Sequence, residues 1–186
     1  MNASGSLLVL ATVGWGLLTL LVAAAATGAV LAHRLRRPVV TATTIGLTIA
    51  ALVVAALPPV PAPAPFAAVL TVGCLIIAVA GGSPVTRTLL DRVTFGEAEG
   101  AHGGLLVADG RELLRGGEVI GLLERLAVAG AIVAGFPDAL AVIIAIKGVG
   151  RFTELETGAV RERFIVGTLA SWTWAAAAAG IALLAR

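Results

Sequence analysis

Glu118, Glu124, Arg125, Lys147, Arg151, Glu154, Arg161, Glu162 and Arg163 are ionisable side chains set inside or beside apolar runs. Carboxylates and cations in such alternation can build an internal ion-pair network, line a polar vestibule or hold an anionic headgroup. Glu124 and Arg125 follow Glu118 by six and seven residues, about 9 to 10 Å of helix rise. Arginine and lysine at that depth can extend a long stem toward water, whereas a glutamate cannot, so Glu124 requires a cation. Lys147, Arg151 and Glu154 recur at spacings of four and three, one charged stripe on a helix. Their signs pair Glu124 with Lys147 or Arg151, and leave Glu118 and Glu162 as secondary candidates for Arg125 or Arg161.

Other chemistries have weaker support. His33 and His102 are the two histidines, and neither has Cys, Asp or His at a ligand spacing on a clear helix. Glu97, Glu99, His102 and Asp109 are separated by glycines that leave their geometry undefined, so no metal site is expected. The single cysteine, Cys74, lies within an apolar run and reads as a small core residue. Ser83 and Ser171 have neither a nucleophile-elbow context nor a nearby base, which argues against a serine hydrolase. Gly103-Gly104 and Gly116-Gly117 lack the Lys-Ser/Thr ending of a phosphate loop. An enzyme is therefore not the favoured reading, and no cofactor is expected.

These groups need apolar helices to position them. Of the 186 residues, 59% are hydrophobic and 13% charged, and the first charge-bearing cluster begins only at His33-Arg34. A soluble helical domain needs charges on most exposed turns, so the fold class expected is all-alpha, a polytopic transmembrane bundle of about six spans. The spans are placed at 7–32, 39–57, 66–80, 118–134, 139–149 and 164–185. A retained first span is expected rather than a signal peptide, because no basic side chain precedes Leu7 and a basic cluster follows the apolar run. The fifth is short for a bilayer, and Lys147 and Arg151 would snorkel to lengthen it. Proline-rich 58–65 reads as a stiff external link, and Gly135-Phe136-Pro137-Asp138 as a tight turn with Asp138 capping the next helix. A water-exposed stretch holds Arg87, Asp91, Arg92, Glu97, Glu99, His102, Asp109, Arg111, Glu112 and Arg115, with a short surface helix over 85–95. The organisation expected is a membrane part over 1–82, a cytoplasmic loop over 83–117 and a second membrane part over 118–186.

Small residues mark helix packing faces: Gly117 and Gly121 beside the charges, and Gly167, Ser171 and Ala175 on the last span. Trp15, Trp172 and Trp174 lie deep in their spans, as core residues or as walls of a lipid groove. Lys and Arg fall on one side when 34–37, 87–115 and 147–163 face the cytoplasm, which places both termini outside. This charge distribution suits a bilayer rather than nucleic acid. Anionic lipid is an expected partner, with Arg34, Arg36 and Arg37 as headgroup contacts.

Three blocks, Gly117-Glu118-Val119-Ile120-Gly121-Leu122-Leu123-Glu124-Arg125, Ala145-Ile146-Lys147 with Arg151-Phe152-Thr153-Glu154-Leu155, and Ile165-Val166-Gly167-Thr168-Leu169-Ala170-Ser171, resemble a family of bacterial integral membrane proteins classed as a domain of unknown function. The resemblance implies a membrane location, in bacteria the cytoplasmic membrane, and one shared site for Glu124, Arg125, Lys147 and Arg151. It implies no activity. In this chain Gly148 stands where that family tends to have serine, and Arg163 where an aromatic residue is common. The leading functional expectation is a structural or regulatory subunit binding another membrane protein. A small transporter or channel-like homo-oligomer, and a lipid-binding or lipid-handling protein, are the alternatives.

Overall fold

The computed structural model describes residues 3–57, 63–93, 117–150 and 158–186. They form six helices: α1 (Ala3–Leu35), α2 (Pro38–Ala56), α3 (Ala64–Val93), α4 (Gly117–Val133), α5 (Ala139–Gly150) and α6 (Gly158–Leu184). Four of these, α1, α2, α3 and α6, are long and apolar enough to cross a membrane. The expectation of about six spans is thus reduced to six helices with four of spanning length and composition. At 17 and 12 residues, α4 and α5 extend roughly 25 and 18 Å against a hydrocarbon core of about 30 Å.

Leucine, valine and isoleucine side chains cover the outside of the bundle, among them Leu10, Leu20, Val39, Ile49, Val53, Val69, Val72, Leu123 and Leu169. Water would make such a surface aggregate, whereas lipid solvates it and forces each helix to satisfy its own backbone. This is an integral membrane helical protein. Threonines follow the same rule: Thr41, Thr44 and Thr48 are buried on one face of α2, and each donates to a carbonyl four residues back.

The centre is built from α3 and α6, with α1 and α4 against α3, α4 also against α6, and α2 closing on α1, α3 and α6. Helix approach depends on small residues. Ala25, Ala29, Ala51, Cys74, Ala78, Ala129, Ala175, Ala178 and Ala179 are buried between the larger Leu18, Leu70, Ile77 and Ile181. In contrast, α5 has its close helix approach, among the described residues, to α4.

The turns have identifiable local causes. Arg36 takes φ 52°, its N–H bonds to the carbonyl of Ala32, and Pro38 then opens α2 with its preset φ. Gly135, at φ 71°, ends α4 in a Schellman motif: its N–H reaches Ile132 and that of Phe136 reaches Ala131. The cap expected from the Asp138 side chain is not formed. The N–H groups of Ala139, Leu140 and Ala141 bond instead to the carbonyls of Phe136, Pro137 and Asp138, three residues back in a 3₁₀-like start.

The third span does not stop at Ala80. Helix α3 continues through Gly81-Gly82-Ser83-Pro84 to Val93, replacing the separate surface helix expected over 85–95 up to that residue. Pro84 removes one helix hydrogen bond, which membrane helices tolerate when neighbours re-satisfy the backbone. The rest of the expected loop, including Glu97, Glu99, His102, Asp109, Arg111, Glu112 and Arg115, lies outside the described residues. So do Arg151 and Glu154.

Candidate functional site

Arg125 is the deepest charge in the described bundle, with 3% of its surface exposed. Helix α4 delivers it to a place about halfway along both α3 and α6, inside the bundle. Its Nε donates to the carbonyl of Val79 at 3.0 Å, Nη1 to Ser171 Oγ at 3.1 Å and Nη2 to Ser83 Oγ at 2.8 Å. The carbonyl belongs to the α3 turn just before Pro84. The direct partners of Arg125 are neutral oxygens from α3 and α6, not the secondary candidates Glu118 and Glu162.

Glycine creates the space for this arrangement. A methyl group at Gly82 would lie 2.6 Å from Arg125 Nε, and one at Gly81 would lie 2.8 Å from Trp174 Cζ2. The paired glycines therefore form a waist in α3 that admits the guanidinium from α4 on one side and the indole from α6 on the other. Trp174 Nε1 donates to the carbonyl of Ile77 at 2.9 Å. Of the readings open for this tryptophan, it is a core residue with its polar edge satisfied.

Glu124 forms an ion pair with Lys147 of α5. The two side chains are 12% and 15% exposed, so the pair is largely withdrawn from solvent. Lys147 also lies over the Phe164 ring of α6, 5.3 Å from its centroid, a cation–π contact that ties α5 toward α6. Of the two cations expected for Glu124, Lys147 takes the carboxylate.

Glu118 opens α4 and meets His33 at the end of α1, Oε1 to Nε2 at 3.4 Å. At the other end of α4, Arg186 Nη1 donates to the Val133 carbonyl at 2.7 Å. Helix α4 is thus held at its start by α1, in its middle by α3 and α6, and at its end by Arg186, two residues past α6. Arg161 and Glu162 are exposed near the start of α6, while Arg163 is buried.

No family model, curated protein or solved structure matches this chain. The three-block resemblance therefore adds no family assignment, and the site rests on its own geometry.

The small residues expected to pack helices have distinct surroundings. Ser171 and Ala175 are buried, Gly167 faces Leu90 and Thr86, and Gly121 lies beside the Arg125 guanidinium. Gly117 is partly exposed at the first residue of α4. Arg34, Arg36 and Arg37 are exposed between α1 and α2. Among the described residues no group of three or more His, Cys, Asp or Glu could hold a metal ion.

Sequence reasoning missed Gly81, Gly82 and the part of Ser83 in this centre. The available signal was Gly-Gly-Ser-Pro at the end of an apolar run, a place where a helix becomes thin and offers a hydroxyl. Its reading as the start of a loop concealed that use.

Proposed function

We propose that the protein is a membrane subunit whose α4–α5 side docks on a helix of another integral membrane protein. The observation that carries this reading is α5, described over Ala139–Gly150, whose close helix neighbour among the described residues is α4. It turns Leu140, Ile143 and Lys147 inward and exposes the other side, where Ala141, Ala145 and Gly148 follow one another at helical spacing. A methyl at Gly148 would meet nothing within 4 Å. A small-residue stripe admits another helix at close range, while the described part of α5, roughly 18 Å, is shorter than the hydrocarbon. Lys147 is held by Glu124 inside the protein, so it does not lengthen α5 by reaching for headgroups. A neighbouring transmembrane helix would cover both the stripe and the shortfall.

In the proposed arrangement α4 and α5 form a hairpin within a cytoplasmic membrane, with both chain termini on the non-cytoplasmic side. The transporter and lipid-handling alternatives place no requirement on the outer face of α5. A photoreactive side chain at Ala145 in native membranes should give one discrete adduct with a second membrane protein at near-stoichiometric yield. The same probe at Val53, on the lipid side of α2, should give lipid adducts only. A dimer of this chain crosslinked through position 145 would replace the subunit reading with a homo-oligomer, and lipid adducts at both positions would remove it.

A further inference from the structure

Most of the described cations are answered within the protein. Arg125 has its three oxygens, Lys147 has Glu124, His33 has Glu118, and Arg186 has the Val133 carbonyl. Arg87, Arg161 and Arg163 also have interactions inside the chain. What remains among the described residues is Arg92, which follows Asp91, and the three arginines where α1 turns into α2. Arg34, Arg36 and Arg37 are exposed, and none makes an ion pair or side-chain hydrogen bond with a described residue. No carboxylate stands near them in sequence, because Asp91 is the first acidic residue of the chain. Glu118 reaches this end of α1, where it meets His33.

The turn carries this charge against its own backbone preference. Arg36 takes φ 52°, a left-handed conformation that glycine or asparagine usually supplies just past a helix. Arginine there places a guanidinium-bearing side chain in the two-residue link itself, between Arg34 and the first residue of α2. Both flanking helices are long and apolar enough to cross a membrane, so the link emerges at a bilayer surface whichever way the chain is oriented. Beside it Leu31 and Leu35, one turn apart on α1, and Val39 at the start of α2 are exposed. A soluble acidic partner would meet the guanidinium groups and leave these apolar side chains uncovered. A lipid meets both, with its headgroup at the arginines and its chains along the leucines and valine.

We propose that the link between α1 and α2 binds a phospholipid of net negative charge, its headgroup held by Arg34, Arg36 and Arg37 and its acyl chains lying along Leu31, Leu35 and Val39. Guanidinium groups match phosphate oxygens with paired N–H donors. A zwitterionic lipid carries its own ammonium, which offsets the phosphate charge and leaves the three arginines less satisfied. Asp91 offsets Arg92 in the same way, so Arg92 does not share the site. The surface belongs to α1 and α2 and is independent of whatever covers α5.

Native mass spectrometry of the purified full chain, released from nanodiscs of phosphatidylcholine and phosphatidylglycerol in equal amounts, tests the proposal through the ratio of the two lipids retained. The parent should keep phosphatidylglycerol in excess, and the excess should shrink as ionic strength rises before release. Arg36→Gly should lower the ratio about fivefold, the effect of one arginine near an anionic surface. Because glycine accepts φ 52° without strain, that variant should unfold in phosphatidylcholine nanodiscs at or above the parent's temperature. Adding Arg34→Gln and Arg37→Gln should bring the two lipids close to equal retention, again with the unfolding temperature kept. Arg92→Gln should leave the parent's ratio unchanged. Equal retention of both lipids by the parent, an unchanged ratio in the triple variant, or an equal fall in Arg92→Gln would overturn the site and leave the three arginines to set orientation alone.

Discussion

Glu124 and Arg125 are neighbours in sequence that face different directions and solve different problems. One hundred degrees of helix rotation separates them, so α4 can present the carboxylate to α5 and the guanidinium to α3 and α6. Glu124 has a partner of opposite sign in Lys147, and removing the carboxylate would take that partner from the ammonium over Phe164. Glu124→Leu should therefore cost roughly 3 kcal/mol of stability, the range for breaking a buried pair. Lys147→Leu in the same background should return part of that loss by removing the cation that lost its carboxylate. Denaturation of each variant in a defined detergent measures both effects. A Glu124→Leu protein as stable as the parent would mean that water or lipid headgroups reach Lys147 freely.

At the scale of elements, α3 does most to organise the site, through what it omits. Gly81 and Gly82 lack the side chains that would otherwise hold α4 and α6 away, and Pro84 interrupts helix bonding one turn beyond the carbonyl that Arg125 uses. Gly82→Ala should displace Arg125 from Val79, since the new methyl would overlap a guanidinium already fixed by three hydrogen bonds. A loss of more than 2 kcal/mol is expected, with the buried charge separated from its acceptors. Gly130 in α4 provides the contrast, because a methyl there meets nothing within 4 Å. Gly130→Ala should be neutral or add about 0.5 to 1 kcal/mol by restricting the unfolded chain. Thermal melts of the two alanine variants beside the parent check this; similar melts for both would remove the steric account of the waist.

For the whole molecule, helix directions and charge distribution make one consistent arrangement. Helices α3 and α6 run antiparallel, since Ser83 and Ser171 share Arg125 while Thr86 faces the earlier Gly167. In the proposed orientation the basic residues between α1 and α2 and at the start of α6 lie at the cytoplasmic end, by the positive-inside rule. Ala62→Cys should react with a membrane-impermeant thiol reagent in intact cells, and Ala101→Cys only after the membrane is opened. The native Cys74 is buried between helices and should stay silent in both assays. Labelling in the reverse order would invert the proposed orientation.

Local composition was enough to establish the membrane class, the α1–α2 basic turn, the Gly135 turn and the need of Glu124 for a cation. Each follows from apolar run length, glycine or proline chemistry, or a short stem at depth, and all of these act over a few residues. Span number was less legible, because α4 and α5 are apolar enough to suggest crossing but shorter than the hydrocarbon. The partners of Arg125 could not be read from its neighbourhood, since they come from α3 and α6, 42 to 46 residues away in either direction. The same applies to Gly81-Gly82-Ser83-Pro84, whose residues read locally as the end of a helix. Packing decided otherwise: a thin stretch of helix is stable where another helix inserts an arginine and a third inserts a tryptophan, and only the tertiary arrangement brings those two side chains to the same turn.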